Sequence, residues 1–151
     1  MITREIDYAI RALLYLALHS EAQVVSTTVL AEQMEIPYRF LRRILLGLVD
    51  AGLVISVRGK QGGLRLAKAP EMISLFDLVK AVDRDALALN ICLADIESCH
   101  RAASCVVHDE LARIQEPPHW NLADVTLAVF VERERQRLQR AINSTAVEQT
   151  T

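Results

Sequence analysis

Three cysteines, Cys92, Cys99 and Cys105, fall within fourteen residues, with His100 between them and His108 just beyond. An odd number of thiols in a chain read as cytoplasmic argues against a disulfide framework. It argues for thiolate chemistry, either metal ligation or a redox switch. The spacing Cys92-x6-Cys99-x5-Cys105 offers three soft thiolates on one short segment, which suits iron–sulfur or zinc ligation. Such a site needs a fourth ligand, and the chain has no fourth cysteine. His108 stands three residues after Cys105, on the same face of a helix, and three cysteines with one histidine also make a zinc set. The plain alternative, cysteines as small buried hydrophobes, sits poorly with their clustering.

Positive charge is concentrated elsewhere. The chain of 151 residues has a net charge of -2, but residues 38–68 carry seven basic side chains against Asp50 alone. Residues 1–37 carry two basic against five acidic side chains, and residues 69–151 eight against thirteen. One basic block in an otherwise acidic chain reads as a polyanion-binding surface.

The elements that must position these groups are mostly helical. Ile6, Ile10, Leu13, Leu14, Ala17 and Leu18 recur at helical spacing and predict a helix over 3–19. Ser26 is placed to cap a short helix over Thr27–Met34. Pro37 suits the first turn of a third helix, which Gly52 ends. Phe40, Leu41, Ile44, Leu45 and Leu48 supply its buried side. Two short apolar runs, Leu53–Val57 and Leu64–Leu66, flank the turn Arg58-Gly59-Lys60-Gln61-Gly62-Gly63, a hairpin signature. Ser74-Leu75-Phe76-Asp77 is a capping box opening a helix to about Val82. Residues 83–99 read as a loop, a helix follows from about Ala102 to Gln115, and a last one spans Leu122 to about Leu138.

Helices, turn, helix and two-stranded wing make a winged helix-turn-helix, mainly α with a small β-hairpin and C-terminal dimerisation helices. The third helix then enters a major groove, presenting Tyr38, Arg39, Arg42 and Arg43. Ser26 and Thr28 line the second helix, and Arg58, Lys60, Gln61 and Arg65 the wing. A solvated basic face is the bland reading, but charge on both reading helix and wing favours DNA. The expected organisation is a DNA-binding domain over 1–82 and a cysteine-rich cluster-binding loop and helix start over 83–108. Dimerisation helices over 109–140 and a flexible tail over 141–151 complete it.

Five stretches resemble a known family: Asp7-Tyr8-Ala9-Ile10-Arg11-Ala12-Leu13, Ile36-Pro37-Tyr38-Arg39-Phe40-Leu41, Ala51-Gly52-Leu53-Val54, Arg58–Gly63 and Ile73–Val82. With the three cysteines after them, they resemble the bacterial winged-helix iron–sulfur regulators that include IscR and NsrR. The resemblance is strong over residues 1–108 and weak beyond. It implies a homodimeric transcription factor whose iron–sulfur cluster, 2Fe–2S or 4Fe–4S, controls its affinity for an operator.

The resemblance offers two fourth ligands. IscR-like members use a histidine at the position His108 resembles. NsrR-like members use an aspartate of the partner subunit, near the start of the first helix, which Asp7 resembles. Asp7 is favoured, because Asp7-Tyr8 and the Lys60-bearing wing resemble the NsrR branch and a hard carboxylate is a labile ligand. Its ordinary role is a helix-start carboxylate. The first cysteine gap here is six residues, where the family more often has five. Arg42 and Arg43 stand where the IscR reading helix has acidic and amide residues. The helix after Cys105 stops at Pro117-Pro118, where the family has a long dimerisation helix.

The expectation is therefore a cytoplasmic regulator that senses redox state, nitric oxide or cluster supply. A cluster-free thiol switch or zinc-binding regulator is the alternative. A thiol or metal enzyme is disfavoured, since no nucleophile–base pair or cofactor loop is evident. No apolar run reaches the roughly 18 residues that span a bilayer, and the N-terminal helix, with Glu5, Asp7 and Arg11, is not a secretory leader.

Overall fold

A computed structural model describes residues 3–19, 24–59, 62–83, 105–115 and 122–148, with Leu93 and Glu97. Its first helix, α1 (Arg4–His19), lies at the centre of the packing. Ile6, Ala9, Ala12, Leu13, Leu16 and Ala17 are its buried residues. Three of these six are alanines, so neighbouring backbones can approach closely. The buried stripe is rotated from the one the larger residues suggest: Ile10, Leu14 and Leu18 flank the core rather than fill it.

Helix α2 (Thr27–Gln33) opens at Ser26, whose Oγ accepts the Val29 N–H at 3.2 Å. Val25, just before it, exchanges two backbone hydrogen bonds with Leu64, of 2.9 and 2.7 Å, tying this helix start to the wing. Helix α3 (Tyr38–Asp50) begins directly after Pro37 and buries Leu41, Ile44, Leu45 and Leu48. Phe40 is not on that side: it is 46% exposed, because a 3.6-residue period carries position 40 off the stripe set by 41, 44, 45 and 48. Gly52, at φ 66°, ends the helix in the left-handed region as expected. Strands β1 (Val54–Val57) and β2 (Gly63–Leu66) pair antiparallel with Val54 opposite Leu66 and Val57 opposite Gly63.

After a short 3₁₀ turn at Pro70–Met72, helix α4 (Leu75–Val82) starts with the predicted capping box. The Asp77 N–H donates to Ser74 Oγ at 3.0 Å and the Ser74 N–H to Asp77 Oδ2 at 3.4 Å. Helix α4 meets α3 at Gly47, where a Cβ would lie 2.5 Å from the Ala81 carbonyl oxygen. Only glycine permits that approach.

Helix α5 (Val106–Gln115) follows Cys105, and α6 (Leu127–Glu148) closes the chain. The last helix departs from expectation at both ends. It starts at Leu127 rather than Leu122, because residues 122–126 clasp the start of α4. The Leu75 N–H donates to Val125 O at 2.7 Å, Phe76 N–H to Leu122 O at 3.1 Å, and Leu127 N–H to Ile73 O at 2.8 Å. It also continues to Glu148, so residues 141–148 of the expected tail are helical. Its first turns sit in the same core as α1, with Leu127 3% and Val131 4% exposed, so packing crosses the boundary expected near residue 82. Beyond them it is a polar surface helix carrying pairs such as Glu134–Arg137, in which Arg137's hydrogen bond holds the Glu134 carboxyl below its ordinary range.

Two substitutions test this account by thermal unfolding. Gly47→Ala forces α3 from α4 and lowers stability by about 1–3 kcal/mol. Glu35, at φ 52° in the turn before α3, is the one described non-glycine residue at positive φ. Glu35→Gly relieves that strain and leaves stability unchanged or raised by up to about 1 kcal/mol.

Candidate nucleic-acid interface and ligand segment

Every described member of the basic block is exposed. Tyr38, Arg39 and Arg42 are exposed on α3, Arg58 is exposed at the end of β1, and Arg65 is exposed on β2 opposite Ile55. Ser26 and Thr28 are exposed at the start of α2, the Ser26 oxygen already engaged as the cap. Because Val25 bridges to Leu64, the α2 start and the wing are held together as one unit. Lys60 and Gln61, the expected tip of the wing, lie outside the described residues, as do Cys92 and Cys99.

Arg43 is placed differently from its neighbours on α3. Its guanidinium forms an ion pair with Glu5 of α1 and lies over the Phe40 ring, 5.5 Å from the centroid. Exposed ion pairs of this kind contribute only about 0–1 kcal/mol, but this one joins two helices. Around it Glu5, Arg43, Ile44, Gly47, Ala81 and Val82 line a surface cavity of roughly 250 Å³. The start of α1, the reading helix and the end of α4 therefore converge there. Sequence reading missed Glu5, because nothing local marks a pairing between positions 5 and 43. It also missed Leu46, which is 66% exposed among buried leucines of the same helix. The signal was present: position 46 lies off the 41-44-45-48 stripe.

The ligand candidates divide between two places. Asp7 is on α1, half exposed, with its carboxylate 3.0 Å from Arg11 Nε, one helical turn on. Cys105 is a half-buried free thiol immediately before α5, and its carbonyl accepts the Asp109 N–H at 3.1 Å. His108 follows in the first turn of α5. Its Nδ1 is buried and has no hydrogen-bond partner among the described residues. An unpaired buried imidazole nitrogen costs about 1–3 kcal/mol, and native structures rarely leave one without a donor, water or ion. A thiol and an orphaned imidazole three residues apart, in a segment with two further cysteines in sequence, have the donor chemistry that a soft metal or iron–sulfur cluster would use. The residues fit such a group.

The sequence pattern of the Rrf2 family, described as iron-dependent transcriptional regulators, matches residues 2–133. The chain is 36% identical over 122 residues to an rrf2-like HTH-type transcriptional regulator of Rhodobacter capsulatus, covering 76% of this chain and 81% of that one. It is 33% identical over 132 residues to the HTH-type transcriptional regulator NsrR of Shouchella clausii, covering 83% and 88%. The solved structure of IscR from T. potens superposes with a TM-score of 0.61 at 27% identity, covering 89% of this chain and 88% of that one.

The surface predicts an ordering of variants. Arg42→Ala changes preference among duplexes by the roughly 1–3 kcal/mol of a base contact, and Arg43→Ala changes it less, its side chain being held by Glu5. Glu5→Gln frees that arginine and removes a negative charge, so binding to all duplexes strengthens and the salt dependence steepens by about one phosphate contact. Salt titrations of DNA affinity check both.

Proposed function

The chain belongs to the Rrf2 family of transcriptional regulators, and on that premise we propose that it is a homodimeric, operator-binding regulator controlled by an iron–sulfur cluster. As a winged-helix regulator of this family it binds DNA, and its relatives are regulators rather than enzymes. Among the described residues no helix is long and apolar enough to cross a membrane.

The observation that carries the cluster reading is the orphaned His108 nitrogen beside Cys105. The named similarities to NsrR and IscR support it. Cys92, Cys99, Cys105 and His108 would hold the cluster, and Asp7 of the partner subunit is the competing fourth ligand. A bound cluster supplies a centre whose charge and integrity change with oxidants, nitric oxide or iron supply.

The chain's own residues carry the consequence to DNA. Helix α4 ends at Val82, and the chain runs on from there toward the cysteines. One residue earlier, Ala81 meets Gly47 of the reading helix. A displacement of α4 cannot be absorbed by a side chain at that contact, because there is none; it moves α3. If Asp7 is the ligand instead, the same junction is reached through α1, since Glu5 grips Arg43 two residues away.

Anaerobic purification decides between the readings. A brown protein with iron and sulfide is expected, losing its visible absorption in Cys105→Ala and His108→Ala and keeping it in Asp7→Ala. Loss in Asp7→Ala with a normal spectrum in His108→Ala moves the fourth ligand to Asp7. A colourless protein with zinc or free thiols removes the cluster and leaves a thiol-switch or zinc regulator.

A further inference from the structure

We propose that Leu46 is a specificity-determining residue of the DNA surface, meeting thymine methyl groups in the major groove beside Arg39 and Arg42. The inference rests on the DNA-binding reading and goes beyond it, to the kind of base the reading helix selects.

Leu41, Leu45 and Leu48 on α3 are 0–6% exposed, whereas Leu46 is 66% exposed. Positions 39, 42 and 46 follow one another at i, i+3 and i+7, so one stripe of the helix presents a guanidinium, a second guanidinium and then an isobutyl group. Arg43, beside that stripe, is drawn toward α1 by Glu5. Leu46 therefore contributes little to the core, yet it occupies the middle of the face that the fold turns outward.

The flanking charge selects the occupant. A second copy presenting the same face would bring Arg39 and Arg42 against their own kind, which is repulsive. Duplex DNA instead presents phosphates to the arginines and, on the groove floor, one apolar group, the thymine C5 methyl. Its contact with an exposed leucine removes apolar surface from water on both sides. A methyl group buried in this way is worth about fourfold in affinity.

The test uses the full chain, purified anaerobically, and a random duplex library. Duplexes enriched by the wild-type protein are resynthesised with deoxyuridine replacing each thymine, which deletes one methyl at a time. At one or more positions the replacement weakens wild-type binding about fourfold. Leu46→Ala weakens binding to the thymine duplex by a similar factor and shows no further loss with deoxyuridine there, the coupling expected of two groups in contact. Leu46→Met, which keeps an apolar side chain, retains the discrimination. Because the side chain is exposed, both variants keep the wild-type thermal midpoint.

A Leu46→Ala protein with the wild-type thymine preference at every position overturns the proposal. So does one whose DNA preference is intact but whose oligomeric state has changed, since the face would then be a protein contact. A wild-type protein that enriches no duplex fails at the DNA-binding reading itself, a result distinct from selective binding that ignores Leu46.

Discussion

Helices α3 and α4 touch where no side chain fits between them. The Ala81 carbonyl faces Gly47 so closely that a single Cβ would overlap it. Most helix contacts are cushioned by side chains that can change rotamer, and such contacts transmit small displacements poorly. A backbone-to-backbone contact has no such compliance. It fixes the angle at which the reading helix stands relative to the helix that leads toward the cysteines. Helix α1 supports both, burying its stripe against α3, α4, β2 and α6. The basic surface is consequently a property of the whole packed unit rather than of one helix.

Charge is distributed to match. The described positive side chains of residues 38–68 all lie on the surface, while acidic side chains outnumber basic ones on either side of them in sequence. One acid reaches into that surface: Glu5 takes Arg43 and leaves Arg39 and Arg42 facing outward. Adjacent arginines of one helix thereby acquire different surroundings through a partner 38 residues away in sequence. The ligand segment follows a comparable rule, since His108 has a buried nitrogen that the described protein does not satisfy. A buried polar atom without a partner is costly to keep, which is why the ligand reading proposed above turns on it.

Much of this was legible beforehand. The Ser26 cap, the Ser74–Asp77 capping box, the helix-ending Gly52 and the hairpin around residues 58–63 depend on interactions within a few residues, and each lies where sequence reasoning set it. The exposed arginines of α3 and the paired strands of the wing were legible for the same reason: charge clusters, helical period and hairpin signals are local. Phe40 was misassigned because aromatic character outweighed its position in the period. The last helix was misplaced because residues 122–126 look helical on their own, and only their hydrogen bonds to 73–76 hold them otherwise.

The sequence by itself therefore determined the kinds of groups available and the local elements that carry them: three thiols with a nearby histidine, a basic helix, a glycine-rich wing, and caps that start and stop helices. Tertiary structure decided how those groups are shared out. Nothing in the sequence marks a need for glycine at position 47 until Ala81 is placed against it. Arg43 reads as a DNA contact until Glu5 arrives from α1. Local propensities depend on neighbours along the chain, which a sequence displays. Pairing, exposure and close approach depend on neighbours in space, which come into being only when the chain packs.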